Sequence, residues 1–294
     1  MSKPKVYFSK KLTPENVVEV YKKLGITLPG KVAVKIHSGE RGNQNYLRPD
    51  FMKPLVDYVG GTVVECNTAY EGARNTTDRH LALLAEHGFS ETFNMDLLDA
   101  EGPDLELGIP DGQVIKKNLV GKNLRNYNSL LVFSHFKGHP MGGYGGALKQ
   151  LSIGCASSAG KTNIHTGGKT TDVKIIWKNN APQDRFLEAM ADAAKSVVDL
   201  FGPNAAYVSA ICNLSVDCDC CAVAEDPCMA DIGIAASLDP VALDRACLDL
   251  VYASNDAGLE HFKERVSSRH GEHTIEAAEQ LGIGSTDYEL ICID

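Results

Sequence analysis

The sequence predicts an α/β fold in which a mainly parallel sheet is flanked by helices. Short β-rich runs alternate with helix-length amphipathic segments along the chain, and the last of them is the strand-like run YELICID. Repeated β-α units build parallel sheets, because each helix returns the chain to the starting edge of the sheet. A length of 294 residues suits one large domain or two lobes. We interpret residues 1–294 as a single α/β domain, with 125–130 as the candidate junction between two lobes that face a cleft.

Helix caps and β-rich runs define the elements of the first half of the chain. KVYFS and KVAVKIH predict strands; the helix between them has Thr13 as N-cap, Pro14 in its first position and Gly25 just past its end. RPDFMKPLVDYVG predicts the next helix, GTVVECNTA a strand, and DRHLALLAEHG a helix that ends at Gly88. SLLVFSHFKG, residues 129–138, predicts a strand that runs into a glycine-rich turn.

The second half continues the alternation. DRFLEAMADAAKSVVDLFG predicts a long helix, and AAYVSAICNLS and DIGIAAS predict two strands. DPVALDRACLDLVYAS predicts a helix with Asp239 as N-cap and Pro240 in its first turn. The chain closes with the predicted helix HTIEAAEQLG and the predicted strand YELICID. No internal repeat or low-complexity tract interrupts this series.

Charge and hydropathy exclude two classes of partner. The net charge is −9, and the lysines and arginines are scattered without a basic run. Nucleic acid is therefore not expected, since binding to phosphates needs a concentrated positive surface. No apolar run approaches the ~18 residues of a membrane span, and no apolar stretch follows the basic start MSKPKVYFSKKL. We expect no membrane partner and no signal peptide, and place the protein in the cytoplasm, where thiols stay reduced.

Polar side chains follow three of the predicted strands. His37 comes after KVAVKI, Asn67 after TVVEC, and His135 after SLLVFS. In open α/β sheets, ligands bind beyond the carboxyl ends of the strands. We therefore expect these residues to open on one cleft, which would bind a small anionic ligand or cofactor in a locally basic setting.

The stretch from 134 to 165 is the richest in candidate functional groups. Its titratable candidates are His135, Lys137, His139 and Lys149, and its glycines are Gly142, Gly143, Gly145 and Gly146. The first three titratable residues occupy alternate positions, so an extended strand would present them on one face. Glycines let backbone N–H groups approach an anion, and a helix N-terminus favours one. The functional interpretation makes the histidines ligands or bases, the lysines anion clamps and the glycines a cradle; in the alternative, the histidines cap strand ends and the glycines turn the chain.

A phosphate-binding loop is not predicted, although Gly160-Lys161-Thr162 matches the end of that motif. The motif needs four residues between its two glycines, and five separate Gly154 from Gly160. No strand-then-loop pattern precedes it.

Four cysteines fall within eleven positions: Cys218, Cys220, Cys221 and Cys228. The first and third form a C-x-x-C pair, the spacing at which two thiolates reach one metal ion. Three interpretations stay open, namely a metal ion or iron–sulfur cluster, a redox dithiol, and buried thiols that only pack. The acidic neighbours Asp217, Asp219, Glu225 and Asp226 are expected to raise the thiol pKa values unless a cation is bound. Cys155 and His165 are further candidates to complete a ligand set.

The other cysteines and histidines are given structural roles. We expect packing positions for Cys66, Cys212, Cys247 and Cys292. We expect solvated or locally capped positions for His80, His87, His261, His270 and His273.

Several motifs together resemble a known family. They are VKIHSGE, SHFKGHPMGGYGGALKQLSIGCAS, GKTNIH, CDC and DIGIAASLDPVALDRACLDL. In this order, from about 31 to 252, they resemble the domain of unknown function numbered 362, a family often labelled an iron–sulfur centre protein. The resemblance implies a metal or iron–sulfur association related to redox chemistry. Many relatives carry a ferredoxin-like insert with repeated C-x-x-C, which this chain lacks between His165 and Cys212.

A second, local resemblance links the H-x-K-x-H…GGYGGALK region to lactate racemases. It implies a nickel pincer cofactor, with His37, His135, His139, Lys137 and Lys149 in cofactor and acid–base roles. Three function classes follow: a metal- or cluster-containing redox protein, a cofactor-dependent isomerase or racemase of a small hydroxy acid, and a non-catalytic metal-binding or scaffold protein.

Overall fold

A computed structural model describes residues 3–102 and 104–294, and its strands match the predicted series with additions. In chain order the strands are β1 (Lys5–Ser9), β2 (Val32–Lys35), β3 (Thr62–Glu65), β4 (Met95–Leu97), β5 (Leu105–Gly108), β6 (Lys117–Val120), β7 (Ser129–His139), β8 (Gly143–Gly145), β9 (Ala205–Ile211), β10 (Gly233–Ser237) and β11 (Glu289–Cys292). The short strands β4, β5, β6 and β8 were not predicted, because none of these segments contains a run of β-branched or aromatic residues.

The sheet confirms the predicted fold class. Eight strands lie in the order β11-β1-β10-β9-β7-β2-β3-β4, and β8 pairs with the end of β7. The strands from β9 to β4 are all parallel, whereas β10 runs antiparallel to both β9 and β1. Strands β5 and β6 form a separate antiparallel pair.

Helices cover both faces of the sheet. They are α1 (Pro14–Lys22), α2 (Pro49–Val59), α3 (Thr77–Glu86), α4 (Phe89–Thr92), α5 (Ala147–Lys149), α6 (Ser158–His165), α7 (Gln183–Phe201), α8 (Pro240–Tyr252), α9 (Leu259–Ser268) and α10 (His273–Gln280). Both predicted N-caps are confirmed: the Thr13 hydroxyl accepts from the Asn16 N–H at 3.2 Å, and the Asp239 carboxylate accepts from the N–H groups of Val241 and Ala242. Helices α1 and α2 pack on one face of the sheet, and α7 and α8 pack on the other.

Strand β7 organises the centre of the molecule. All eleven of its residues are buried. It pairs with β2 as far as Val132 and with β9 as far as Phe136, so its last three residues project past the carboxyl edge of both neighbours. Segments on both sides of 125–130 therefore contribute to one sheet. A division into lobes at that point stays a prediction.

None of the helices described in 3–102 and 104–294 is long and apolar enough to cross a bilayer.

A buried carboxylate on α7 holds the chain that leads into β6. Asp192 is fully buried and accepts hydrogen bonds from the N–H groups of Gln113, Val114 and Ile115 at 2.7, 2.7 and 2.9 Å. We expect Asp192→Asn to lower the free energy of unfolding by about 1–3 kcal/mol, because its amide group would face N–H donors and leave them unpaired. Urea denaturation measures this change. Asp199→Asn, at an exposed position on the same helix, should unfold like the native chain; equal midpoints for all three proteins would contradict the prediction.

Candidate functional site

A cavity of about 250 Å³ lies where β2, β3 and β7 end. Its wall includes His37 after β2, Cys66 after β3 and His139 at the end of β7. A cavity is therefore present at the ends of these strands, but of the three residues expected to open on it His37 alone lines it, and Asn67 and His135 do not. The volume far exceeds the ~10–15 Å³ that one water molecule needs, so the cavity has room for a small molecule.

The cavity is cationic within an acidic protein. Lys35, Arg74, Lys149 and Lys161 line it, against one acidic side chain, Glu65, among the described lining residues. Lys35 pairs with Glu65 at 2.6 Å, and Arg74 contacts Glu40 at 3.3 Å. A cavity with this excess of positive charge attracts anions.

His37 and His139 end their strands in the same way. The His37 Nδ1 accepts the Gly39 N–H at 3.0 Å, and the His139 Nδ1 accepts the N–H groups of Met141 and Gly142 at 3.2 and 2.8 Å. Burial lowers the pKa of His37 well below its usual value and that of His139 to about 4. A neutral imidazole whose Nδ1 accepts must carry its proton on Nε2. The His139 ring therefore presents an Nε2–H group, whereas the His37 Nε2 lies 3.5 Å from a guanidinium nitrogen of Arg74, which can only donate.

Two thiols and one imidazole converge beside the cavity. The ligand atoms of His139, Cys218 and Cys220 all lie within 4.8 Å of one another, and Cys220 also lines the cavity. The Lys149 ammonium donates to the Cys218 sulfur at 3.5 Å. Buried sulfur and nitrogen donors at this spacing have the composition of a metal site.

The acidity of Cys218 corrects the expectation that its acidic neighbours raise its pKa. Burial alone would raise it, but a hydrogen bond from Cys220 and the positive charge of Lys149 bring the pKa well below its usual value. The same hydrogen bond raises the pKa of Cys220, which keeps its proton as the donor. The sequence shows the acidic neighbours but not the lysine, which the fold brings in from α5.

The other two clustered cysteines lie outside this group of described ligand atoms. The Cys221 N–H donates to the Cys218 carbonyl at 2.9 Å, which closes a tight turn. The Cys228 thiol donates to the Leu214 carbonyl at 3.2 Å. A ligand role for either residue stays a prediction.

His135 and Lys137 share a buried carboxylate partner. The His135 Nδ1 contacts both oxygens of Asp219 at 3.0 Å, and its Nε2 contacts the Cys212 carbonyl at 2.6 Å. The Lys137 ammonium pairs with Asp219 at 2.9 Å. Both ring nitrogens of His135 thus lie against oxygen atoms of the protein, and His135 is not among the residues that line the cavity. Both residues hold Asp219, which lies between the two thiols in the chain.

The glycines permit close approaches. A Cβ on Gly146 would lie 2.4 Å from the Asp244 carboxylate, which accepts the N–H groups of Ala147 and Leu148 at 2.7 and 3.0 Å. The helix N-terminus that was expected to bind an external anion thus holds a carboxylate from α8. Gly145 lies against the side chains of Lys137 and Lys149. A ligand-binding role for Gly142, Gly143, Gly145 and Gly146 stays a prediction.

Among the charged and amide side chains that line the cavity, five were not predicted as site residues: Lys35, Glu65, Arg74, Gln150 and Lys161. One signal was present for Glu65. Lys35 and Glu65 interrupt apolar strands that a parallel sheet buries on both faces, and such charges must pair. His80 is corrected as well: it is fully buried between Asn67 and Ser38, and burial lowers its pKa to about 3. Cys292 is exposed and does not pack in the core.

Fold and site together define an α/β protein with a Cys/His group beside a cationic cavity. The family model of a domain of unknown function, DUF362, matches residues 32–249. The chain belongs to this family. Comparison with curated proteins finds no match.

Two solved structures show weaker likeness. The lactate racemase apoprotein from Thermoanaerobacterium thermosaccharolyticum aligns with 13% identity and a TM-score of 0.42, over 70% of this chain and 50% of its own. A Thermotoga maritima protein solved by the Northeast Structural Genomics Consortium aligns with 12% identity and a TM-score of 0.42, over 87% of this chain and 58% of its own. The chain thus spans only about half the length of each, and likenesses this weak transfer no function.

Proposed function

We propose that this chain binds a thiophilic metal ion through Cys218 and Cys220, with His139 as a third ligand, beside a cavity for a small molecule. The observation that carries the proposal is the convergence of these three ligand atoms within 4.8 Å. Thiolate and imidazole donors favour zinc, iron, nickel or copper over hard cations such as magnesium. A tetrahedral ion held by three protein ligands would keep one position for a further ligand, as catalytic metal sites do.

The residues fit the ion unequally. Cys218 fits well, because its pKa is lowered and Lys149 lies against its sulfur, whereas Cys220 must lose the proton that it donates to Cys218 when an ion binds. His139 carries its proton on Nε2, the nitrogen that faces Cys220 at 3.9 Å, and a metal ion must displace that proton. Because soft ions prefer sulfur to imidazole nitrogen, the two sulfurs would be the principal ligands. A four-thiolate iron–sulfur cluster fits less well, since this group offers two thiols.

Metal analysis of anaerobically purified protein tests the proposal. We expect about one ion per native chain and on the order of tenfold less in Cys220→Ser, because a hydroxyl is a poor ligand for a soft ion. Cys292→Ser is the matched control, since that thiol is exposed on the edge strand β11. The proposal would be contradicted if the native protein contained no metal, or if Cys220→Ser and Cys292→Ser contained equal amounts. A reversible change in free thiols without metal would favour a redox dithiol instead.

A second candidate function is the isomerisation of a small hydroxy acid. The supporting observation is that two neutral imidazoles, His37 and His139, line one cavity with several lysines. Such groups suit proton transfer next to a carboxylate. Two measurements separate this function from the first. One is deuterium exchange at the α-carbon of L-lactate, and the other is the absorbance of any nucleotide that the protein releases on denaturation. If the protein binds metal but does not catalyse this exchange, the results would favour a non-catalytic metal-binding or scaffold role.

A further inference from the structure

Gln150 presents an amide donor that has no partner among the described residues. It lies at the start of a short π-helix, Gln150–Gly154, and is 7% exposed. The Lys35 ammonium lies 3.2 Å from its Oε1, and since an ammonium can only donate, the carbonyl oxygen of the amide must face it. The Nε2 group therefore points away from Lys35, in a side chain that lines the cavity, and 3–102 and 104–294 supply no acceptor for it.

Gly154 makes this arrangement possible. A Cβ there would lie 2.5 Å from the Gln150 Oε1 and 2.9 Å from the Lys35 Cε. The glycine thus admits both side chains to the cavity wall. Unpaired buried donors are uncommon and costly, so one held in place by its neighbours indicates a missing acceptor.

Lys161 is a buried cation on the same wall. It is 7% exposed, and its ammonium donates to the Ala156 carbonyl at 2.5 Å. No carboxylate of the described chain lies within 4.0 Å of it, in contrast to the paired lysines Lys35 and Lys137. An ammonium has three donors, and burying its charge without a counter-ion is unfavourable.

We infer that Gln150 and Lys161 bind the oxyanion group, a carboxylate or a phosphate, of the ligand that enters this cavity. The inference deepens the proposed function and rests on it for the use of the cavity as a ligand site. Positively charged hydrogen-bond donors repel a cation, and an apolar group cannot accept their hydrogen bonds. The oxygen atoms of an anion can accept them. The rest of the ligand would extend toward Cys220.

Calorimetric titration of the full chain as purified tests the inference, with inorganic phosphate and L-lactate as separate probes. We expect at least one probe to bind and Lys161→Met to weaken it at least tenfold, since the variant removes a charge-assisted hydrogen bond. Trp177, the sole tryptophan, lines the cavity and gives a second readout by fluorescence. Lys174→Met, at an exposed lysine near Trp177, is the control and should bind like the native chain.

Two further results complete the test. Gln150→Glu would place a carboxylate on the wall and should abolish binding of both probes while the chain stays folded, which keeps the test decisive if Lys161→Met fails to fold. Binding of neither probe to the native chain, or affinities within about twofold in Lys161→Met, would overturn the inference. Metal content measured on the same samples separates the two proposals. If the protein contains no metal but binds a probe through Lys161, the metal site is contradicted and the oxyanion site is not.

Discussion

Glu65→Gln should lower the free energy of unfolding by about 3–5 kcal/mol, as expected when one member of a buried ion pair is removed. Glu65 is 3% exposed. One carboxylate oxygen accepts from Lys35 at 2.6 Å, and the other accepts from the N–H and hydroxyl of Ser38 at 2.9 and 3.1 Å. The neutral amide would leave the Lys35 charge uncompensated between two strands of the sheet. Guanidinium denaturation measures the loss.

The stabilisation by Glu65 should also depend on pH, in a direction that its pKa determines. Burial alone would raise the pKa of Glu65, but the positive charge of Lys35 holds it well below its usual value near 4.5. The stabilisation by Glu65 is therefore complete above about pH 4.5 and is lost as the pH falls toward the lowered pKa. The difference in the free energy of unfolding between the native chain and Glu65→Gln should therefore decrease as the pH is lowered. Glu86→Gln, at an exposed pair with Arg41, should show no such difference; a difference of equal size there would refute the buried-pair explanation.

Asp219→Asn is the second substitution with a large expected effect, and it should also lower the free energy of unfolding by about 3–5 kcal/mol. Asp219 is 1% exposed and holds both His135 and Lys137. An amide would leave the lysine charge buried without a partner. Because the residue lies between the two thiols, we also expect Cys220 to react faster with a thiol reagent in the variant, as local opening becomes easier.

Asp226→Asn is the matched control for this loop. Asp226 lies in the same connection between β9 and β10, but it is exposed and contacts Gln44 at the surface. We expect its unfolding midpoint and thiol reactivity to equal those of the native chain. Native-like stability of Asp219→Asn would show that His135 and Lys137 do not depend on the carboxylate.

The fold was largely predictable because its long elements carry local signals. Thr13 and Asp239 are caps whose side-chain oxygens act within three residues, so the sequence alone reveals them. Strand β7 was also visible, as a continuous apolar run that a parallel sheet buries on both faces. The three-residue strands β4 and β8 carry no such signal, since their pairing is decided by distant chain segments.

The candidate site was only partly predictable, because its chemistry depends on distant contacts. His37, His139 and Lys149 were identified from their place after strands and glycines, and they line the cavity. The roles of Asp244 and Gln150 were not, since they follow from partners far away in the sequence. The lowered pKa of Cys218 shows the same limit: its neighbours in sequence are acidic, whereas the charge with the largest effect on its pKa is that of Lys149.

The position of β1 in the sheet constrains the order of assembly during synthesis. β1 pairs with β10 on one side and with β11 on the other, and the Ser237 hydroxyl donates to the Lys5 carbonyl across 232 residues of chain. Ribosomes add about 5–20 residues per second, so the first strand waits on the order of ten seconds or longer for its neighbours. Its unpaired backbone is open to other chains during that time. Nascent chains halted before β10 should therefore depend on chaperones, and that dependence should end once β10 leaves the ribosome.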